Sequence, residues 1–219
     1  MGSQIKGLNI TVSEIYGAAA MLDIPQLTQI PRPDEVDMDA PTMRNWTEEE
    51  FDGTKRLLPE IKQMVELCAW PEVFCQITLF KPQKQLEFYV YVGLDSILSL
   101  LSNGDGFNAA LYESSEFLDF ILTEIPVGEI SDEILTMSQE EASKRFSQSE
   151  CLVRIAFADV ASTNDDSEIE ANNHILMFCD GILWRVADDG GSVTAWSLNK
   201  DSLSAELSAV FTLKGRDLQ

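Results

Sequence analysis

Apolar residues of the first 75 positions recur with the spacing of an α-helix. Residues 11–14 have the Thr-x-x-Glu pattern of a capping box, and apolar residues follow at helical spacing from Ile15 to Leu22. Residues 47–50 repeat the same pattern, and Pro59 suits the first turn of a further helix. The pattern predicts a helical N-terminal segment.

From Phe74 onward the period of the apolar positions changes from 3.6 to 2, which is typical of strands. The polar segment 81–85 separates the first two runs, and Asn103-Gly-Asp-Gly106 separates the next two as a hairpin turn. The pattern predicts strands at 74–80, 86–92, 94–101 and 107–112, followed by helices at 115–125 and 131–146.

The second half of the chain resembles the first when the sequence is shifted by 85 residues. Seven identities then fall within residues 95–122, and strand, glycine-rich hairpin, strand and helix recur in the same order. Two ordinary antiparallel hairpins would share some of these features, so that alternative stays open. We expect an α+β fold, a pseudo-twofold repeat of antiparallel sheet plus helices with the helical N-terminal segment. It would form one domain over 1–219, with halves at about 1–147 and 148–219.

The charge of the chain narrows the classes of partner. Fifteen basic and 37 acidic residues give a formal net charge of −22. Nucleic acids and anionic membranes are excluded as partners because they would be repelled. Residues 113–180 hold 16 acidic and three basic residues, more than half of the net charge. This acidic stretch, which includes a long polar connection at 161–173, either steers a partner or keeps the protein soluble.

The sequence offers little for catalysis or redox chemistry. His174 is the one histidine, and no glycine-rich nucleotide motif or EF-hand loop is present. The four cysteines lack Cys-x-x-Cys spacing and predict buried free thiols. No secretory signal or membrane-spanning run is recognised. We therefore expect a cytoplasmic protein that is not an enzyme and uses no cofactor or metal.

Aromatic residues on the strands are the other candidates for function. Tyr89 and Tyr91 share one face of their strand, and Trp184 and Trp196 lie on the hairpin of the second half. Aromatic residues are enriched in protein-binding surfaces, but they are also ordinary residues of sheets and cores.

Several segments together resemble the EspG-type chaperones of type VII (ESX) secretion systems. Leu8 to Glu14 and Leu22 to Leu27 are similar to that family's opening helix start and apolar-proline segment. Leu57 to Lys62 and Cys68 to Pro71 resemble its helix ending before the first long strand. The resemblance covers most of the chain in order and implies the pseudo-twofold α/β fold of the family.

The resemblance implies binding to a secreted helical-hairpin client of the WXG100, LXG or PE-PPE type, which the chaperone keeps soluble and competent for export. In the family, a loop between two early strands and the sheet face contribute to client contact. We place this role on Lys81, Gln83, Lys84 and Gln85, with Tyr89 and Tyr91 beside them.

Other functions and partners stay open at this point. An acidic immunity or inhibitor protein that neutralises a basic toxin is the alternative. A hydrolase with a carboxylate site is a third, and a homodimer is a further candidate assembly.

Overall fold

The computed structural model describes residues 6–36, 41–159 and 172–211. The predicted acidic connection at 161–173 lies outside these residues except for its last two positions. The elements are β1 (Lys6–Thr11), α1 (Val12–Ala20), α2 (Pro41–Trp46), β2 (Thr47–Glu49), β3 (Lys55–Leu57), α3 (Pro59–Ala69), β4 (Val73–Lys81), β5 (Lys84–Val92), β6 (Ile97–Ser102), β7 (Gly106–Tyr112), α4 (Ser114–Glu124), β8 (Ile134–Met137), α5 (Gln139–Gln148), β9 (Cys151–Asp159), β10 (Asn172–Cys179), β11 (Ile182–Asp188), β12 (Val193–Ser197) and α6 (Lys200–Phe211).

Most strands belong to one large antiparallel sheet, so the expected mixture of sheet and helices is confirmed. Its ten strands have the order β1-β7-β6-β5-β4-β9-β10-β11-β12-β8, while β2 and β3 pair separately. The hairpin predicted at 103–106 joins β6 to β7, with Ser102 opposite Phe107. The glycine-rich hairpin of the second half joins β11 to β12, with Asp188 opposite Val193.

The strand order contains the same series twice. In each series four successive strands lie side by side, and an earlier strand, β1 or β8, lies at the outer end. Each of these outer strands leads directly into a helix that begins with a capping box. The internal repeat as such stays a prediction.

The chain divides into two compact units that alternate along the sequence. In the described chain the first unit comprises residues 6–36, 41–74, 89–113 and 159, and the second comprises 75–88, 114–158 and 172–211. The predicted halves at 1–147 and 148–219 stay a prediction.

The first unit is built around helices α1 and α3. The capping box is confirmed, because Glu14 N donates to Thr11 Oγ1 and Thr11 N donates to Glu14 Oε2. Pro59 opens α3 as expected, and its residues Ile61, Met64, Val65 and Cys68 are buried. Fully burying each aliphatic side chain of this kind contributes about 1.5–3 kcal/mol, so this packing rather than helix propensity holds the two helices.

The predicted helical N-terminal segment is not confirmed as such, because strands as well as helices occur in it. Residues 6–11 form strand β1, which pairs with β7. The Thr-x-x-Glu pattern at 47–50 starts no helix, because Thr47–Glu49 is strand β2, paired with β3 through Thr47 opposite Leu57. Glu48 and Glu49 lie on this strand and Glu50 follows it, and Arg56 lies 2.6 Å from Glu48 and 3.1 Å from Glu50, which offsets part of their negative charge.

In the second unit, the structure differs from the prediction in the segment that follows helix α4. The helix expected at 131–146 is replaced by strand β8 and the shorter helix α5. Ser138 is the N-cap of α5 and forms a capping box with Glu141, a Ser-x-x-Glu signal that the periodicity did not single out. Elsewhere in this unit, Phe117 of α4 meets Phe211 of α6 edge to face at 5.1 Å, and both rings are buried.

No helix in the described ranges is long and apolar enough to cross a lipid bilayer.

Candidate functional site

The loop predicted to contact a partner is a tight turn between β4 and β5. Lys81 ends β4, Pro82 and Gln83 form the turn, and Lys84 begins β5. Gln83, Lys84 and Gln85 are exposed, whereas Lys81 is half-buried. A two-residue connection between paired strands holds these side chains in a narrow range of positions.

Lys81 is held by the helix that follows β7. Its Nζ lies 3.1 Å from Glu124 Oε2 at the end of α4, and both side chains are about one-third exposed (32%). The ion pair connects the turn to α4 and reduces the freedom of Lys81 to meet a partner. Lys84 therefore offers the more accessible charge of the two.

Phe80 adds an exposed apolar group beside this turn, which the sequence pattern did not indicate. It follows Gln76 and Thr78 on one face of β4, so the alternation favoured a polar, solvated face there. The ring is 42% exposed in the structure. We name Phe80, Gln83, Lys84 and Gln85 the turn surface.

Of the two tyrosines placed beside the client-contact loop, Tyr91 is buried in the structure and Tyr89 is half-buried. Tyr91 is 0% exposed, and its hydroxyl donates to the carbonyl of Thr28 at 2.9 Å. Burial raises the pKa of the Tyr91 phenol well above its usual value. Tyr89 is half-buried, with its ring 5.6 Å from Phe107 and 6.3 Å from Phe74. Segments that follow β1 cover this face, so Tyr91 belongs to the core of the first unit.

The two tryptophans of the second half lie in different environments. Trp184, a candidate for partner binding, is 4% exposed and belongs to a buried cluster with Met137, Ala142 and Val193, so it is a core residue. Trp196 is half-buried, and the guanidinium carbon of Arg185 lies 5.9 Å from its ring centre. Arg185 and Trp196 are direct neighbours in the β11–β12 register, which explains the contact.

A polar cluster surrounds the histidine of the chain. Arg185 Nε lies 3.2 Å from Glu206 Oε2 of α6, and His174 Nδ1 lies 3.7 Å from the same oxygen. Burial lowers the pKa of His174, and the nearby positive charge of Arg185 lowers it further. Phe157 packs edge to face against the imidazole at 5.1 Å. The arrangement positions charges between sheet and helix within the second unit.

The four thiols are buried and unpaired with one another, as the sequence predicted. Burial raises the pKa of Cys68 and of Cys75, which keeps both thiols protonated. Within residues 6–36, 41–159 and 172–211, no three His, Cys, Asp or Glu side chains are grouped to hold a metal ion.

Large apolar side chains exposed to solvent occur at turns, loops and an edge strand. Phe51 stands at the tip of the β2–β3 hairpin, and Leu94 lies in the turn between β5 and β6. Single exposed apolar side chains are common on protein surfaces, so exposure by itself assigns none of them to a contact. The exposed large apolar residues are Phe51, Trp70, Phe80, Leu94, Ile130 and Ile134.

Comparison with solved structures supports the fold of the chain. No family model matches the chain, and no curated protein matches it by sequence. Among solved structures, it is similar to the type VII secretion chaperone EspG5 of Mycobacterium tuberculosis, determined in complex with a PE25-PPE41 dimer. The TM-score is 0.62 at 9% sequence identity, over 94% of this chain and 95% of that one. The likeness therefore extends over the whole fold.

Proposed function

We propose that this protein is a cytoplasmic type VII secretion chaperone or adaptor that binds a helical-hairpin client before export. The observation that carries the proposal is the likeness to EspG5 over nearly the full length of both chains, since that chaperone was determined with a PE25-PPE41 dimer. The protein would act by binding, without catalysis or a cofactor.

The proposal includes the pseudo-twofold repeat. The doubled strand order and the two helices that begin with capping boxes after β1 and β8 support it. Under this view, β8 and α5 are the shortened counterparts of β1 and α1.

We place client binding at the turn surface of the second unit. Phe80 would cover an apolar tip of the client, and Gln83, Lys84 and Gln85 would supply polar contacts around it. Tyr91 and Trp184 are left out of this surface because both side chains are buried. The net charge of −22 would keep the complex soluble.

Co-expression with the small helical-hairpin proteins encoded by neighbouring genes tests the role. The full chain, purified through an affinity tag, is expected to retain one of them in a defined stoichiometry. If none is retained, the chaperone role is wrong.

A matched pair of variants tests the surface. Phe80→Asp combined with Lys84→Asp is expected to weaken client binding on the order of tenfold or more, as for an apolar anchor at an interface. Leu94→Asp is the control, because Leu94 is 79% exposed and lies in a different turn. Equal loss in both variants would contradict the turn surface while leaving the chaperone role intact.

Salt dependence separates this role from the acidic inhibitor that the charge also favours. Apolar capture is expected to survive a rise in ionic strength from about 0.1 to 1 M, which shortens the Debye length from about 10 to 3 Å. Binding of a basic toxin steered by charge would weaken steeply over the same range.

A further inference from the structure

The hairpin between β6 and β7 contains the only Asn-Gly pair of the chain. Asn103 and Gly106 flank the two central residues of its loop, Gly104 and Asp105, and Asn103 N donates to the Gly106 carbonyl at 3.1 Å. Gly104 has a φ of 96°, which a glycine at the first central position of such a loop adopts without strain. The side chain of Asn103 is exposed, so water reaches it.

The backbone nitrogen of Gly104 is well placed to react with the Asn103 side chain. A bond between this nitrogen and Asn103 Cγ closes a five-membered ring. Among the described residues, the Gly104 amide donates no hydrogen bond, so its proton is open to removal. A Cβ at Gly104 would meet nothing within 4 Å, and glycine itself has none to shield the nitrogen. The loop therefore combines an accessible carboxamide with an unhindered nucleophile.

Two Asp-Gly pairs in other exposed turns lack this combination. Gly53 N donates to the Glu50 carbonyl at 3.0 Å, and Gly190 N donates to Asp188 Oδ1 at 2.9 Å. A hydrogen bond holds each of these amide protons in place. The residue before each glycine is also an aspartate, whose carboxylate resists nucleophilic attack more than a carboxamide does. The Asn103-Gly104 pair is thus the reactive one of the three.

We propose that Asn103 is a site of spontaneous deamidation in the folded protein. Hydroxide removes the proton of Gly104 N, and this nitrogen attacks Asn103 Cγ. The bond from Cγ to the side-chain nitrogen then breaks, and that nitrogen leaves as ammonia after taking a proton from water, which regenerates hydroxide. Water opens the resulting succinimide ring at either carbonyl, which gives aspartate or isoaspartate. One water is consumed and one ammonia released, with no oxidation or reduction.

The isoaspartate product would disturb the pairing of β7 with β1. Asn103 Nδ2 donates to Asn9 Oδ1 of β1 at 3.5 Å, and a carboxylate at position 103 cannot make this bond. Gly106 of the same loop lies so close to β1 that a Cβ on it would meet the backbone of Ile10. Isoaspartate carries the main chain through its Cβ and so lengthens the backbone by one atom just before this close approach. The modification is independent of the chaperone role.

Peptide mapping by mass spectrometry, after incubation of the full chain at mildly alkaline pH, tests the site. Residue 103 is expected to convert at least about tenfold faster than Asn9 or Asn108, equivalent to a barrier lower by about 1.4 kcal/mol. These two asparagines lie on the neighbouring strands β1 and β7. The rate is expected to rise with pH, because the reaction begins with loss of an amide proton. No conversion at residue 103, or equal conversion at all three, would overturn the proposal.

A matched pair of variants assigns the reaction to this side chain. Asn103→Gln is expected to abolish the fast conversion, because the longer side chain would have to close a six-membered ring. Asn108→Gln is the control and is expected to retain it, since Asn108 also donates to Asn9 Oδ1 but is followed by alanine. Loss of the fast conversion in both variants would overturn the assignment to Asn103, and thermal unfolding shows that each variant remains folded.

Comparison with a less stable chain distinguishes reaction of the folded hairpin from reaction of the unfolded chain. Tyr16→Phe removes a buried hydroxyl of the first unit that bonds the Ile30 carbonyl, away from the hairpin in sequence. The deamidation rate of this variant is expected to equal that of the wild type. A rate raised in proportion to the lost stability would show that unfolding must come first and would overturn the proposal.

The Asn103→Asp variant isolates the effect of the altered backbone, since it has the charge of the product with a normal main chain. Incubated protein that carries isoaspartate at position 103 is separated by chromatography and compared with this variant in thermal unfolding. The isoaspartate form is expected to unfold at the lower temperature. Equal midpoints would overturn the inferred disturbance of β7 on β1.

Discussion

Arg185 of β11 and Glu206 of α6 form an ion pair across 3.2 Å within the second unit. The Arg185 side chain is 12% exposed and that of Glu206 is 28% exposed, so the pair is largely shielded from solvent. Arg185 Nη1 also donates to the carbonyl of Val186 at 2.7 Å. The pair joins helix α6 to the sheet. Removal of the Glu206 carboxylate therefore leaves the Arg185 cation shielded from solvent without its partner.

Glu206→Ala is expected to lower the free energy of unfolding by about 1.5–3 kcal/mol, the usual contribution of a hydrogen bond to a charged group. Chemical denaturation measures the change. Asp201→Ala on the same helix is the control, because Asp201 is exposed. Similar losses in both variants would show that removal of any negative charge from this helix, and not loss of the ion pair, accounts for the effect.

The pKa of His174 is expected to lie below the usual histidine value, because burial and the Arg185 charge disfavour the protonated ring. The chain has one histidine, so a single imidazole resonance in NMR reports the titration directly. Arg185→Met is expected to move its midpoint upward. An unchanged midpoint would mean that burial alone sets the pKa.

The lowered pKa of His174 makes the free energy of unfolding depend on pH in a defined direction. On acidification the unfolded chain takes up the histidine proton first, since the folded pKa is the lower one. The contribution of neutral His174 is therefore complete above the usual histidine pKa and is lost as the pH falls towards the folded value. His174→Gln is expected to flatten the unfolding free energy across this window, as measured by denaturation at successive pH values.

Gly106 and Gly191 coincide under the 85-residue shift, but only Gly106 is closely approached. A Cβ at Gly106 would meet the backbone of Ile10 and Thr11 on the neighbouring strand β1, whereas one at Gly191 would meet nothing within 4 Å. Gly106→Ala is expected to cost more than about 2 kcal/mol through backbone displacement. Gly191→Ala is expected to change stability by less than about 1 kcal/mol, because its site has room for the methyl group. Thermal unfolding of the two variants compares them, and equal effects would contradict the close packing of β1 on β7.

Removal of each of two buried tyrosine hydroxyls in the first unit is expected to lower the free energy of unfolding by a different amount. Tyr16 OH donates to the Ile30 carbonyl at 2.7 Å and accepts from Leu27 N at 3.3 Å, while Tyr91 OH donates to the Thr28 carbonyl. Tyr16→Phe leaves two buried backbone groups without this partner, so we expect a loss of about 2–4 kcal/mol, against about 1–2 kcal/mol for Tyr91→Phe. Denaturation compares the two variants. A larger loss for Tyr91→Phe than for Tyr16→Phe would contradict the hydrogen bonds that join the Tyr16 hydroxyl to Leu27 and Ile30.

Local sequence signals predicted the elements that depend on neighbouring residues. The capping box at Thr11 and Glu14, the proline start of α3 and the hairpin at 103–106 are each set by side chains within four positions of one another. The Thr-x-x-Glu pattern at 47–50 does not start a helix. A capping box contributes only about 1 kcal/mol, and strand pairing with residues 55–57 outweighs it.

The candidate surface was predicted less well, because exposure depends on distant parts of the chain. Alternation along β5 correctly separated two faces, but it could not show that Thr28 would meet the Tyr91 hydroxyl from 63 positions away. Phe80 was missed for the opposite reason, since its polar neighbours on the same face masked an exposed ring.

The sequence by itself determined the periods of helix and strand, the hairpin turns and the excess of negative charge, since these follow from adjacent residues and from composition. Tertiary structure alone decided which strands lie at the sheet edges and which aromatic faces are covered. The physical reason is that burial and edge position arise from contacts between segments far apart in the chain, and the free energy of those contacts overrides weaker local preferences.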